Sequence, residues 1–172
     1  MDAVVANAGL GHHAPLPAIT ERQFDRIFDT NVKGVLFTIQ KALPLLADGA
    51  TVVIIGYTGS TQARVGMSLY RASKAAVAQA ARGWIQDIKG SGVRINVTSP
   101  GAVNTESLRS TLDQALGADV VAGAIKAMGK DKPTGRIAEP HEIARAVMFL
   151  SGDESGFITG MELFVDGGPT VL

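Results

Sequence analysis

The 172-residue chain contains no cysteine. Disulfides and thiolate-ligated metals are therefore excluded, and the composition fits a reducing cytosol. Charge of one sign is also lacking, since sixteen Lys and Arg balance sixteen Asp and Glu. No broad electrostatic field is left to recruit nucleic acid or an anionic membrane. No apolar run approaches the roughly 20 residues that a membrane-spanning helix needs. The opening MDAVVANAGLG has no basic region and too short an apolar stretch for a signal peptide. Aromatic residues are scarce at 5%, with one tryptophan, Trp84, and two tyrosines, Tyr57 and Tyr70. There is no repeat, linker or low-complexity segment. What is present is 46% apolar and 19% charged, the balance of a chain that buries a core. The expectation is one soluble cytoplasmic domain over 1–172, with no nucleic-acid or membrane partner.

Asp2 to Ala6 is a short apolar run ended by Asn7-Ala8-Gly9, the pattern of a buried strand entering a loop. Thr20 and Gln23 form a capping box, and Phe24, Ile27 and Phe28 recur at helical spacing behind it. A second apolar face, from Val32 to Leu46, carries the helical pattern to about Ala47. Thr51 to Ile55 predicts a second strand, and a polar, glycine-punctuated loop follows from Gly56 to Met67. An alanine-rich helix opens around Tyr70 and runs to about Lys89. Leu69, Ala72, Ala76, Val77, Ala80, Trp84 and Ile88 are its expected buried face. Val93 to Thr98 predicts a third strand, cut off by Pro100-Gly101.

From Asn104 to Pro133 the periodicity is poor, with helical patches near Leu108–Leu116 and Val120–Met128. A loop-rich insertion after a strand is where a substrate lid sits. Pro140 starts a further helix, and Leu163 to Val165 predicts a last strand before Asp166-Gly167-Gly168. Strands alternating with helices predict an α/β, Rossmann-like parallel sheet with right-handed crossovers. Ligands bind outside the carboxyl ends of such strands. Asn7, the loop from Gly56 to Ser60, and Pro100-Gly101 all follow strand ends and so converge beside the Tyr70 helix.

The chemistry-bearing stretch is Tyr70-Arg71-Ala72-Ser73-Lys74. Residues four apart stack on one helix face, which sets the Tyr70 hydroxyl beside the Lys74 ammonium. A neighbouring cation favours the phenolate and is expected to lower the tyrosine pKa from about 10. Such a tyrosine serves as a general acid/base toward an alcohol or carbonyl. His12 and His13 have no third ligand at a sensible spacing, so no metal site is expected.

The ordered set Asn7-Ala8-Gly9, Asn31, Tyr70-x-x-x-Lys74, Pro100-Gly101, Gly160 and Asp166-Gly167-Gly168 resembles the short-chain dehydrogenase/reductases over essentially the whole chain. The phrase Gly135-Arg136-Ile137 with Pro140-x-Glu142-Ile143-Ala144 belongs to the same likeness. The resemblance implies an NAD(P)-dependent oxidoreductase acting on an alcohol or ketone. Tyr70 would be the acid/base at the substrate oxygen, and Lys74 its pKa modulator and a ligand of the nicotinamide ribose. Asn31 would kink its helix and hold a water linking Lys74 to solvent. Asn7, Ala8 and Gly9 would lie on the adenosine side of the cofactor. Pro100, Gly101 and Val103 would line the nicotinamide, with Thr105 near its carboxamide or the diphosphate. A homodimer or homotetramer, assembled through the Tyr70 helix and the last strand, is also implied.

Two departures mark this sequence. The family's opening strand and TGxxxGxG-type phosphate turn have no counterpart, and the chain begins where the family's fourth strand begins. The expectation is a partial domain with weak dinucleotide binding and no readable choice between NAD and NADP. The Asp2–Ala6 strand becomes an apolar edge open to self-association. In addition, the family's substrate-binding serine, thirteen residues before the catalytic tyrosine, is here Tyr57. A phenol also donates a hydrogen bond but reaches further into the pocket; Thr58 or Ser60 would substitute only after a register shift. The competing expectation is therefore an inactive scaffold or oligomerisation module that keeps the fold.

Overall fold

The computed structural model describes residues 1–58, 65–130 and 132–168. Four strands, β1 (Ala3–Ala6), β2 (Thr51–Ile55), β3 (Arg94–Pro100) and β4 (Glu162–Val165), form one parallel sheet in the order β1-β2-β3-β4. Val4 lies opposite Val52, Val53 opposite Asn96, and Ser99 opposite Phe164. Parallel neighbours need long crossovers, and helices fill them. The first holds α1 (Glu21–Phe28) and α2 (Val35–Ala42), and the second α3 (Ser68–Asp87). The third holds α4 (Glu106–Leu116), α5 (Val121–Lys130) and α6 (Pro140–Ser151).

Val52, Val53 and Ile54 of β2 are fully buried because the sheet is covered on both faces. On one face Val52, Ile54, Ile95 and Val97 pack with Val35 and Ile39 of α2 and Val77 and Ala81 of α3. On the other, α6 lies against β2 and β3. There the Thr51 hydroxyl donates to the Leu150 carbonyl at 3.2 Å. The capping box at Thr20 forms, with the Gln23 amide N–H donating to Thr20 Oγ1 and Thr20 N–H to Gln23 Oε1. Between α1 and α2 the backbone widens into a π-helical turn, Asp29–Gly34, with Asn31 inside it. A π-turn is a recognised cause of a helix bend.

The expected buried face of α3 is rotated. Ala72 is exposed, and Leu69, Ala76, Ala80, Trp84 and Ile88 are only partly buried. The side chains that go inside are Arg71, Ser73, Lys74, Val77, Ala78 and Ala81. Alanines on every flank give the helix little apolar contrast, and the long stems of Arg71 and Lys74 bury as well as leucine would. β3 also continues past Thr98 to Pro100, whose position at a strand end needs no N–H for the ladder. Among the described residues no helix is long and apolar enough to cross a membrane.

Candidate active site

The carboxyl ends of the strands are drawn together by two glycines. A Cβ on Gly56 would collide with the Ser99 side chain and come within 2.8 Å of Val97 Cγ1. A Cβ on Gly101 would lie 2.9 Å from the Asp166 Cα. Only glycine permits these approaches. The ends of β2, β3 and β4 are thereby held close together, and the loops leaving β1, β2 and β3 line a cavity of about 450 Å³. Asn7, Gly9, Tyr57, Tyr70 and Lys74 line one part of it, and Pro100, Gly101, Val103 and Thr105 another. Leu108 and Thr111 of α4 and Met128 of α5 complete the wall. The poorly periodic insertion is thus helical and borders the cavity, as a lid would, and α4 buries none of its own residues.

Lys74 is buried, and its Nζ donates to the Ile55 carbonyl at 2.7 Å. Burial pushes its pKa down to about 8. Gly9 faces this ammonium: a Cβ there would sit 3.2 Å from Lys74 Nζ and 3.4 Å from Asn31 Oδ1. Glycine therefore leaves the approach to the ammonium clear.

Tyr70 departs from expectation. Its pKa is pushed up to about 12, first by burial and then by the neighbouring Tyr57. The expected lowering by Lys74 does not appear, because desolvation of a phenolate among apolar walls outweighs it. The Tyr57 and Tyr70 ring centroids are 5.2 Å apart with planes tilted by 58°, within the range of favourable aromatic pairs. Thr58 is a poor substitute for the missing serine, since it is buried and its hydroxyl donates to the Pro100 carbonyl at 3.3 Å. Ser60 lies outside the described residues.

Asn31 is fully buried behind the cavity. Its Nδ2 donates to the Leu10 carbonyl and to Ser73 Oγ, both at 2.9 Å, while Oδ1 accepts from the Leu10 N–H at 2.9 Å. Ser73 Oγ in turn donates to the Tyr70 carbonyl at 2.7 Å. The π-turn, the Leu10 loop and the first turn of α3 are thereby one hydrogen-bonded unit. Ala8 does not share the cavity with Tyr70. It lines a separate depression of about 230 Å³ beside Thr30, Gly34 and Val35.

The whole chain has been compared with known proteins. Residues 1–170 match the family model described as enoyl-(acyl carrier protein) reductase. The chain belongs to the short-chain dehydrogenase/reductase family. It is 39% identical over 170 residues to the oxidoreductase asL5 of Sarocladium schorii, covering 98% of this chain and 65% of that protein. It is 34% identical over 173 residues to a diacetyl reductase, (S)-acetoin forming, of Staphylococcus aureus, covering 96% and 66%. The ligand-free aldohexose dehydrogenase of Thermoplasma acidophilum has the same fold, with a TM-score of 0.95 at 27% identity. That match covers 100% of this chain and 69% of the other. The chain spans about two thirds of the length of the curated relatives it matches.

In this short-chain dehydrogenase/reductase a second layer buttresses the strand-end loops. Val103 forms a parallel bridge with Ala138, and the Asn104 N–H donates to the Ala138 carbonyl at 2.8 Å. Arg136 forks onto Glu142 with two contacts of 2.7 Å, and Glu142 also accepts from the Glu139 N–H at 2.8 Å. The guanidinium and the backbone donor hold the Glu142 carboxyl down at about 2. Thr105 caps α4 by accepting from the Leu108 N–H at 3.2 Å, which leaves its hydroxyl proton to donate. Sequence reasoning did not single out Arg71, Leu108 or Met128 as site residues.

Proposed function

We propose that this chain supplies the proton-handling site of an NAD(P)-dependent oxidoreductase that interconverts an alcohol and a carbonyl. The observation that carries this reading is the opening of Tyr70, Lys74 and Tyr57 onto one cavity at the carboxyl ends of the strands. Residues around that cavity fit the nicotinamide end of the cofactor. Ile55, Pro100 and Val103 offer an apolar wall, Thr105 a free hydroxyl proton, and Gly9 an unobstructed path to the Lys74 ammonium. Asn7 stands at the junction of this cavity with a more apolar one of about 460 Å³ against α6. When bound, the nicotinamide supplies or accepts the hydride. Ala8 would meet a more remote part of the same cofactor.

With a pKa near 12, Tyr70 is neutral at physiological pH and stands ready as a proton donor to a carbonyl oxygen. As its proton leaves, the growing phenolate is stabilised by the Lys74 ammonium on the same helix face. The electrostatic pairing expected from their spacing therefore acts on the ionised state and not on the resting one. Lys74, near 8, is mostly charged at pH 7 and is anchored by Ile55. Asn31 holds the Leu10 loop over α3 and keeps the proton path from Lys74 toward solvent in place. Tyr57 donates the second hydrogen bond to the substrate oxygen, the role of a serine elsewhere in the family. The relatives' names, a diacetyl reductase and an aldohexose dehydrogenase, support a small polar alcohol or carbonyl compound as substrate.

Titration with NADH and NADPH, followed by nucleotide fluorescence, tests the reading. Saturable binding together with carbonyl reduction that is lost in Tyr70→Phe supports it. No binding up to millimolar nucleotide overturns it for this chain. That result would favour the second reading, a non-catalytic scaffold, for which the Tyr57 ring beside Tyr70 is the specific observation.

A further inference from the structure

Arg71 is the anomaly of the site. It is only 6% exposed, yet its Nε and Nη1 have no hydrogen-bond partner among the described residues. Buried guanidinium groups are normally paired, because an unpaired charge away from water is strongly disfavoured. The neighbour that the group does have is a ring face: its Cζ lies 5.7 Å from the centroid of Tyr57. This is within cation–π range, and desolvation strengthens that attraction.

The backbone on both sides of Tyr57 is already fixed. Gly56 is jammed against Ser99 and Val97, and Thr58 is tied to the Pro100 carbonyl. What remains free is the direction of the Tyr57 ring. Among the described residues that ring meets Tyr70, at 5.2 Å between centroids, and Arg71, over its face. They are consecutive residues of α3, so the helix that carries the acid/base also carries the group that aims its neighbour. We propose that Arg71 is a positioning residue: its guanidinium, stacked on Tyr57, sets the direction in which the Tyr57 hydroxyl enters the cavity beside Tyr70. This rests on the reading of Tyr57 as second donor to the substrate oxygen. It explains why a charge with unpaired donors is kept inside, where a methionine of similar length would fill the same volume.

Two tyrosines make the test clean, because both belong to this contact. With 13C-labelled tyrosine rings, Arg71→Met should shift the Tyr57 resonances, and those of Tyr70 through the ring contact. Arg71→Lys, which retains the cation, should return them toward their original positions. In the turning-over enzyme Arg71→Met should lower kcat about tenfold with KM changed less than about twofold, the signature of a misdirected group. In a Tyr57→Leu background the same substitution should add nothing further. Should Arg71→Met fail to fold, Arg71→Gln keeps hydrogen-bonding capacity without charge and gives the same readouts. Tyrosine resonances that stay in place in the uncharged variant would overturn the proposal and leave Arg71 a packing residue. Full activity of Tyr57→Phe would instead sink the donor role of Tyr57, while the resonance shifts still decide whether Arg71 aims the ring.

Discussion

Tyr70 and Lys74 are displaced from their ordinary pKa values in opposite directions by the same cause, burial. Removing the proposed acid/base in Tyr70→Phe should lower turnover by about 100-fold or more with the fold intact, since the phenyl ring that remains still packs on Tyr57. A spectrophotometric titration should also lose the ionisation at about pH 12 that belongs to Tyr70. Lys74 makes a prediction about stability. Its folded pKa, about 8, lies below the ordinary lysine value of 10.5. The unfolded chain therefore holds more protons between those pH values, and stability rises with pH across that window. The rise is on the order of 3 kcal/mol as an upper bound. Tyr70, raised to about 12, reverses the trend from pH 10 upward. Urea unfolding at pH 7.5, 9 and 10 should show the rise in the native chain and a flat line in Lys74→Met. An equal slope in both would mean that the ammonium is not the group responsible. The sequence made the pair visible through its spacing but could not show the sign of the tyrosine shift. That sign is decided by how much apolar wall surrounds the phenol, a property of the cavity and of Tyr57, which comes from a different loop.

Elements with strong local signals were legible in the sequence: the β-branched run of β2, the Thr20 capping box and the Pro140 start of α6. The face of α3 was not, because Arg71 and Lys74 go inward by virtue of tertiary partners that no periodicity records. The π-turn was foreseen only as a kink at Asn31, and the structure gives it a physical content. Asn31 makes three hydrogen bonds that tie the turn to the Leu10 loop and to Ser73 at the start of α3. Asn31→Ala should therefore destabilise the chain by about 2–3 kcal/mol, from lost bonds and from the Leu10 groups left unsatisfied. Hydrogen exchange of the Leu10 amide should speed up in parallel. Asn31→Asp separates geometry from volume. Its carboxylate still accepts from the Leu10 N–H but faces the Leu10 carbonyl with an oxygen, so it should be nearly as unstable at neutral pH. Acidification should partly restore it, because a protonated carboxyl donates where Nδ2 did. If Asn31→Asp were as stable as the native chain at pH 7, the bond to the Leu10 carbonyl would contribute little.

On the scale of the molecule, the alternation of strands and helices was enough to foresee a parallel α/β sheet, with the candidate site expected at its carboxyl ends. Among the described residues the strand order puts β1 at one edge of the sheet. The two edges of the sheet differ. β4 carries Glu162, which accepts from Ser99 Oγ at 2.7 Å and meets Arg82 at 3.5 Å. β1 reads Ala3-Val4-Val5-Ala6, with no charge, proline or bulge among the devices that discourage strand pairing. Val5 is 44% exposed and borders the apolar cavity against α6, whose Met148 is 71% exposed and also lines it. An unpaired backbone row next to apolar side chains is a template for a further strand, from any chain that can supply one. Sedimentation velocity of this chain at rising concentration should therefore show self-association. Val5→Lys places a charge on that edge at a half-exposed position, where its effect on stability should stay within about 1 kcal/mol. It should shift the chain toward monomer without changing its far-UV circular dichroism. A native chain that stays monomeric at all concentrations would mean that β1 is protected by something other than its sequence. Association unchanged by Val5→Lys would move the contact away from this edge, to the α3 face or β4.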